Sequence, residues 1–399
     1  MHILVIDEEF PYPPNTGKRI RSFNLLSRLA TRHDLHYMAY GHEDSDSYRM
    51  LQRMNMNPLP VSPRVPPKSG LLFYTRLAAN LLSRQPYVVT SHYSRAFRKA
   101  LNDFLRISAL DLIICEWSPY AIFVRDIPDV KKLVVAHNIE ARIWQRYYAN
   151  EKNPLKKWYI GKQMAKLGQF ERAAYKWADG ATAVSEVDAD EILSYNHHLP
   201  VKVVDNGVDL EYFRPDGTEP DKNSLVYVGT MDWRPNQDAA VYFVEEILPI
   251  IAARRPETKI SLVGRKPPAH IKALDRHSAV TVTGSVDDIR PYIRHSAVYV
   301  VPLRIGGGTR LKILDAMAMG RAIVSTSVGA EGLDVSDGEN IMLADTPQEF
   351  ADRVVELLED DARRRRLGAA GRALVEAHYS WDRLVAKLDD FIRELVGDK

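Results

Sequence analysis

Residues 303–320 read LRIGGGTRLKILDAMAMG. Gly306, Gly307 and Gly308 stand directly before Thr309, Arg310, Leu311 and Lys312, and apolar residues then recur at Leu311, Leu314 and Met317 or Ala318. That spacing predicts an amphipathic helix that opens abruptly after the glycines and stops near Gly320. Glycine reaches backbone conformations that other residues resist, and it lets another molecule approach closely. A helix N-terminus adds free N–H groups and the positive end of a dipole, so the stretch reads as an anion site flanked by two cations. The plainer alternative is a tight loop before a buried helix, with Arg310 and Lys312 in water.

Outward from this stretch, short apolar runs alternate with helical patterns, the signature of parallel α/β sheets. HILVI, LHYMAY, LDLIICE, KLVVAH, GATAVS and VKVVDNGV form a first series of strands. Amphipathic helices are expected over 19–32 and 162–177. A second series follows: SLVYVGT, KISLVG, AVTVTGS, AVYVVPL, RAIVSTS and ENIMLA. Between the two lies DLEYFRPDGTEPDKN, polar and rich in turn formers, which reads as a linker. The expected organisation is a first domain over 1–208, a linker over 209–223, a second domain over 224–378, and a C-terminal helix over 379–399 whose docking is left open. In open sheets of this kind, ligands bind at the carboxyl ends of the strands.

The bulk numbers narrow the class. The chain has 399 residues, 45% hydrophobic and 27% charged, which suits two soluble domains and excludes wholesale disorder. Its single cysteine, Cys115, excludes an internal disulfide framework and a cysteine-cluster metal site, and it fits a reducing, cytoplasmic compartment. The opening MHILVIDEEF reaches acids at Asp7, Glu8 and Glu9, so it reads as a first strand and not as a signal peptide. No run approaches the roughly 20 apolar residues of a membrane span. Residues 1–200 hold 27 Lys and Arg against 20 Asp and Glu, whereas residues 201–399 hold 27 against 32. Within 51–100 there are eight basic residues and no acid, a pattern that fits an anionic membrane surface or a solvated face. Nucleic acid is not expected, because no aromatic-basic module accompanies the charge.

The common machinery is absent. GGGTRLK does not have P-loop spacing, and no G-x-G-x-x-G, G-x-S-x-G or H-E-x-x-H occurs in its required context. What remains is a set of strand-end stretches: PYPPNTGKRIR with Gly17, VVAHNIEARIW with His137 and Glu140, VVDNGVD, YVGTMDWRPN, LVGRKPP with Arg265, and the glycine stretch itself.

In order and spacing, these stretches resemble the retaining glycosyltransferases of the GT-B fold, family 4. The likeness runs through HNIE, AVSE, DNGVDLEYFRP, VGTMDWRPN, VTGSVDDIRPY, LDAMAMGRAIVST and GAEGL. In detail it is to the bacterial sugar transferases carrying GTMDWRPN and GGGTRLK, associated with exopolysaccharide or cell-envelope assembly. The resemblance implies two Rossmann-like parallel-sheet domains facing across a cleft, with a C-terminal helix that could return to the N-terminal domain. It implies a nucleoside-diphosphate sugar held by the C-terminal domain and a saccharide, lipid-linked or small-molecule acceptor on the N-terminal one. Transfer is expected to be retaining, with no cofactor and no metal ion, by an enzyme in the cytoplasm or on the inner face of the membrane.

The resemblance also implies site residues. His137 corresponds to the family's histidine near the transferred sugar, and a buried structural histidine is the alternative. Asp315 stands where the family has an acid, more usually glutamate, that binds the donor ribose; a carboxylate accepting two hydroxyl hydrogen bonds suits that task. Gly17, Arg265, Gly306, Gly307, Gly308, Thr309, Arg310, Leu311 and Lys312 complete the expected donor-binding set, with Arg310 and Lys312 also counted as catalytic. Two departures stand out. Gly307 occupies the place of a family glutamate. The arginine and lysine usual after VG are missing too: Thr230 follows Gly229, and Pro235 or Asn236 stands near the lysine position. Arg310, Lys312 and Arg265, with Arg234 a weaker candidate, are the cations left to meet a departing diphosphate. Glu140 either orients His137 or opens the next helix. A nucleotide-sugar-binding protein without catalysis, and a GT-B epimerase, are the rival readings; a phosphorylase would need a cofactor lysine context that is not found.

Overall fold

The computed structural model describes residues 1–62, 69–305 and 311–397. By contact the chain divides into Met1–Asp205 with Leu384–Lys399, and Asn206–Arg383.

The first unit holds seven strands, β1 (His2–Glu9), β2 (Asp34–Tyr40), β3 (Met56–Val61), β4 (Leu112–Cys115), β5 (Lys131–Val135), β6 (Gly180–Ala183) and β7 (Val201–Val203). They lie in the order β3-β2-β1-β4-β5-β6-β7, and every pairing is parallel. Ile3 to Ile6 of β1 and all of β4 are buried, which is why these strands read as unbroken apolar runs: helices cover both faces. β3 is the strand that periodicity overlooks. Its sequence MNPLPV contains Pro58 and Pro60, which lack the N–H a central strand must donate, and it lies at the sheet edge, where proline is tolerated.

The expected helices are present with shifted bounds. The first runs Gly17–Leu29, its N-cap Thr16 accepting from Arg19 N, and the long one begins early, at Pro154, and ends at Trp177. The last helix, Trp381–Val396, carries Leu384 onward into the first unit. There His33 Nε2 and Asp389 Oδ1 lie 2.6 Å apart, both buried, and Arg32 adds a 3.1 Å contact to the same carboxylate. Burial alone would raise the Asp389 carboxyl, but the hydrogen bonds from His33 and Arg32 hold it below its ordinary value.

The second unit holds β8 (Asp221–Val228), β9 (Lys259–Val263), β10 (Val280–Gly284), β11 (Ser296–Val301), β12 (Ala322–Ser325) and β13 (Met342–Leu343), in the order β10-β9-β8-β11-β12-β13, again all parallel. β8 begins inside the stretch read as a linker. After β11 comes the helix Leu311–Ala318, with Ile313, Leu314, Ala316 and Met317 buried against the core. It ends as the spacing predicts: Gly320 takes φ +66, Gly320 N bonds Met317 O at 2.8 Å, and Arg321 N bonds Ala316 O at 3.0 Å. This pair of bonds satisfies two carbonyls of the last turn, and a left-handed residue between them favours glycine.

Candidate active site

In each sheet the strand order reverses once, between β1 and β4 in the first and between β8 and β11 in the second. Ligands of such sheets bind beyond the carboxyl ends at that point. Both places gather polar side chains.

In the first unit, Asp7 and Glu8 lie in the carboxyl-terminal part of β1, Glu116 follows β4, and His137 follows β5 by two residues. Asp7 is 2% exposed. It accepts from Tyr37 OH at 2.8 Å, from Glu8 N at 2.7 Å, and from Lys18 Nζ at 2.5 Å. Lys18 also reaches Glu8 at 3.0 Å and lies 5.4 Å from the centre of the Trp117 ring. Burial raises the Asp7 carboxyl above its usual range, with Lys18 opposing the shift. Burial pulls Lys18 downward, yet Asp7 and Glu8 outweigh it and hold the ammonium charged well above its ordinary pKa. Glu8, which burial also pushes up, is held near 2 by His92 and Lys18.

His137 belongs to a second pair. Its Nε2 lies 3.0 Å from Glu116 Oε2, which also accepts from Ser22 Oγ; both side chains are under a tenth exposed. Burial would raise the Glu116 carboxyl, but the bonds from His137 and Ser22 keep it below its ordinary value, hence ionised. An ionised carboxylate can only accept, so Nε2 carries a proton and Nδ1 is the nitrogen left to meet a ligand. Glu140 plays no part in this pair. It opens the helix Glu140–Asn150, and its carboxylate accepts from Trp117 Nε1 at 2.9 Å. The N–H groups of Glu140 and Ala141 donate instead to Glu171, at 3.0 and 2.9 Å, and these bonds tie the first turn after His137 to the long helix.

In the second unit, β8 runs into Gly229 and β9 into Gly264. A Cβ on Gly264 would fall 1.8 Å from the Gly229 carbonyl, so that position admits no side chain, and one on Gly229 would meet Asn236 and the Lys312 ammonium at 2.8–2.9 Å and displace them. Lys312 Nζ lies 2.8 Å from Asn236 Oδ1, 3.3 Å from Tyr227 OH and 4.6 Å from the Tyr227 ring centre. Asn236 is itself fixed, accepting from Tyr227 OH at 2.8 Å and donating to Thr230 O at 2.9 Å. A cation therefore stands beside Asn236, one of the two residues expected near the family's lysine position, but it arrives from another helix. Three residues on, and so on the same helix face, the partly exposed Asp315 carboxylate has no hydrogen-bond or ion-pair partner among the described residues. Burial pushes its pKa up to about 8.

The other expected residues divide clearly. Arg265 follows Gly264 at the end of β9, where its carbonyl accepts from Met231 N at 3.0 Å, and its side chain is partly exposed. Gly17 is exposed on the first turn of its helix. Leu311 packs on the core, and Arg234 is exposed at its helix start. Gly306, Gly307, Gly308, Thr309 and Arg310 lie outside the described residues. Sequence reasoning missed Asp7, Lys18 and Glu116. A signal existed: Asp7 and Glu116 each directly follow an unbroken apolar run, ILVI and LIIC, where a carboxylate has to be held by something.

The family described as Glycosyltransferase Family 4 matches residues 20–212, and that described as Glycosyl transferases group 1 matches residues 222–360. An uncharacterized 44.6 kDa protein in the cps region of Klebsiella pneumoniae is 23% identical over 88% of this chain and 90% of its own length. A GDP-mannose-dependent alpha-(1-6)-phosphatidylinositol monomannoside mannosyltransferase of Mycobacterium tuberculosis is 30% identical over 47% of this chain, a match spanning 54% of that enzyme. Among solved structures, sucrose-phosphate synthase of Thermosynechococcus elongatus superposes with TM-score 0.71 at 17% identity, covering 99% of both chains. Anabaena HepE in complex with UDP superposes at 0.67 with 14% identity, over 99% of this chain and 100% of that one.

Proposed function

Because the chain belongs to glycosyltransferase family 4, we propose that it moves a sugar from a nucleoside-diphosphate sugar to a saccharide, lipid-linked or small-molecule acceptor, with retention at the anomeric carbon and no catalytic metal ion. One observation carries the reading. Lys312 and Asp315 share a face of one helix at the carboxyl end of a parallel sheet, the ammonium anchored on Asn236 and the carboxylate without a partner among the described residues. The cation suits a diphosphate and the carboxylate suits the two hydroxyls of a ribose. Breaking the anomeric C–O bond loads negative charge on the departing diphosphate, and a positioned ammonium stabilises that charge as it develops. His137, with Nε2–H held by Glu116, offers Nδ1 to a sugar hydroxyl or to positive charge near the anomeric centre.

The names of the relatives select the probes. UDP and GDP are titrated first, and stabilisation by either at 100 times its dissociation constant amounts to roughly 2.7 kcal/mol in a thermal shift. Slow hydrolysis of the corresponding sugar nucleotide without acceptor separates a transferase from a protein that only binds. Proton NMR of the product, with an EDTA control, tests retention and metal independence; an inverted anomer or loss of turnover with EDTA refutes the mechanism.

The first unit also supports peripheral attachment to an anionic membrane on its cytoplasmic side. No described helix is long and apolar enough to cross a membrane. The helix Leu71–Asn80, in the acid-free segment, exposes Leu71 at 82% and Tyr74 at 65%, and Leu82 beyond it is 94% exposed. Asn80 is bonded by Gln163 and Lys166 of the neighbouring long helix, whose first turns expose Leu155 and Trp158 beside Lys156 and Lys157. Apolar side chains rimmed by cations suit an interfacial surface. Vesicle co-sedimentation should need anionic lipid and weaken with salt; equal binding to neutral vesicles argues against attachment.

A further inference from the structure

The register of β1 on β2 brings three metal-binding side chains to one face at the amino-terminal end of the first sheet. His2 lies opposite Asp34, and Leu4 opposite His36. Residues two apart on a strand share a face, so a register set by parallel pairing unites side chains 32 and 34 positions apart in sequence. One ligand atom from each of His2, Asp34 and His36 lies within 4.8 Å of the other two; among the described residues no other such group of His, Cys, Asp and Glu occurs.

The His2 ring is oriented from behind. Its Nδ1 lies 2.8 Å from the Ala109 carbonyl, which can only accept, so the proton of the neutral ring sits on Nδ1. Nε2 then turns a lone pair toward Asp34 Oδ2 at 3.5 Å, and His36 Nε2 stands 3.4 Å from Asp34 Oδ1. Both distances exceed the 2.7–3.2 Å usual for N–H···O bonds. The two contacts reach different oxygens of the Asp34 carboxylate, so the three side chains converge without being bonded to one another. His2 Nε2 and His36 Nδ1 are buried with no hydrogen-bond partner. Asn57 Nδ2 donates to Asp34 Oδ1 at 3.0 Å, and Phe104 packs against both imidazoles, at 6.2 Å from His2 and 5.0 Å from His36. A carbonyl behind one imidazole, an amide on the carboxylate and an apolar wall are the kind of outer support that metal ligands carry.

We propose that His2, Asp34 and His36 bind a divalent transition-metal ion, zinc by the chemistry of two imidazole nitrogens and one carboxylate, with a fourth position open to water. The Asp34 side chain is 60% exposed, so the ion enters from solvent. The site lies at the end of the strands opposite Asp7, Glu116 and His137. Its role is to clip β1 to β2, independently of any sugar transfer.

The test uses the full chain, free of any affinity tag and stripped with EDTA, titrated with Zn2+ alone by calorimetry. Wild type should bind one equivalent, and His36→Gln and His2→Gln should each weaken that event at least about 100-fold, the upper end of what loss of an outer-shell partner alone costs. Co2+ in place of Zn2+ should give the intense visible absorption of a tetrahedral site in wild type and not in either variant. Zn2+ should raise the melting temperature of wild type only, and circular dichroism of the variants checks that each is folded. Equal zinc binding by wild type and both variants would place the metal elsewhere, the adjacent exposed His197 and His198 being the obvious ligands, and would overturn the proposal. So would one equivalent of Co2+ bound without a tetrahedral spectrum.

Discussion

If Asp315 takes the donor ribose as proposed, nucleotide binding should depend on pH. Its carboxyl is half-buried, has no partner among the described residues, and is pushed by burial up to about 8. A raised acid holds its proton in the free protein at neutral pH. Accepting hydrogen bonds from two ribose hydroxyls favours the ionised form, so binding must expel that proton. The ionised fraction is about 1% at pH 6 and half at pH 8, so affinity should climb by up to about 50-fold across that range, roughly 2 kcal/mol at 1.36 kcal/mol per unit. A protonated carboxyl still offers one acceptor and one donor, which makes 50-fold a ceiling. Asp315→Asn cannot ionise and should bind more weakly at pH 8 with a flatter profile. The assay is calorimetry of UDP or GDP at pH 6, 7 and 8, in buffers of different ionisation heat. Wild type should release close to one more proton per ligand at pH 7 than the variant. The ligand's own phosphate titrates near pH 6, but it does so for both proteins, so the difference between them is the readout. Parallel pH profiles for wild type and Asp315→Asn would falsify the ribose assignment.

Other consequences are equally direct. Lys312→Ala should weaken nucleoside diphosphate binding by about 1.5–3 kcal/mol, the scale of a hydrogen bond to a charged group, while leaving the bare nucleoside almost unaffected; an equal loss for both ligands removes the phosphate contact. His137→Ala should cut turnover about 100-fold or more with nucleotide affinity unchanged, and Glu116→Gln should lower kcat with little effect on donor KM; near-wild-type rates in both discard the pair. Glu171 is fully buried, and desolvation raises it to about 7 against the bonds from Ala141 and Glu140. Its contribution to stability is therefore greatest below the unfolded value near 4.5 and is lost as pH rises through 7, about 3 kcal/mol in all. Denaturant melts of Glu171→Gln should lack that slope between pH 5 and 7; an unchanged slope assigns it to other groups.

What the sequence determined by itself was whatever repeats locally. Apolar runs bounded by glycine and polar turns located all six strands of the second sheet and six of the seven in the first. The spacing of Leu311, Leu314 and Met317 located the helix that ends at Gly320, because helical period and a left-handed cap are properties of neighbouring residues. The same local logic failed at β3, where Pro58 and Pro60 disguise an edge strand. Strand-end position likewise singled out His137 and Arg265 as candidates. Partnership was decided only by the tertiary structure. His137 is oriented by Glu116, 21 residues earlier, and not by Glu140 three residues later; Lys312 is anchored on Asn236, 76 residues earlier. Asp389 returns to His33 across 356 positions, and the register of β1 on β2 unites His2, Asp34 and His36. Except for Asp389, which the terminal helix carries back to the first unit, these partners are joined through parallel strands and their crossovers, and the register that brings them together is set by packing on both faces of a sheet. No window of sequence records it.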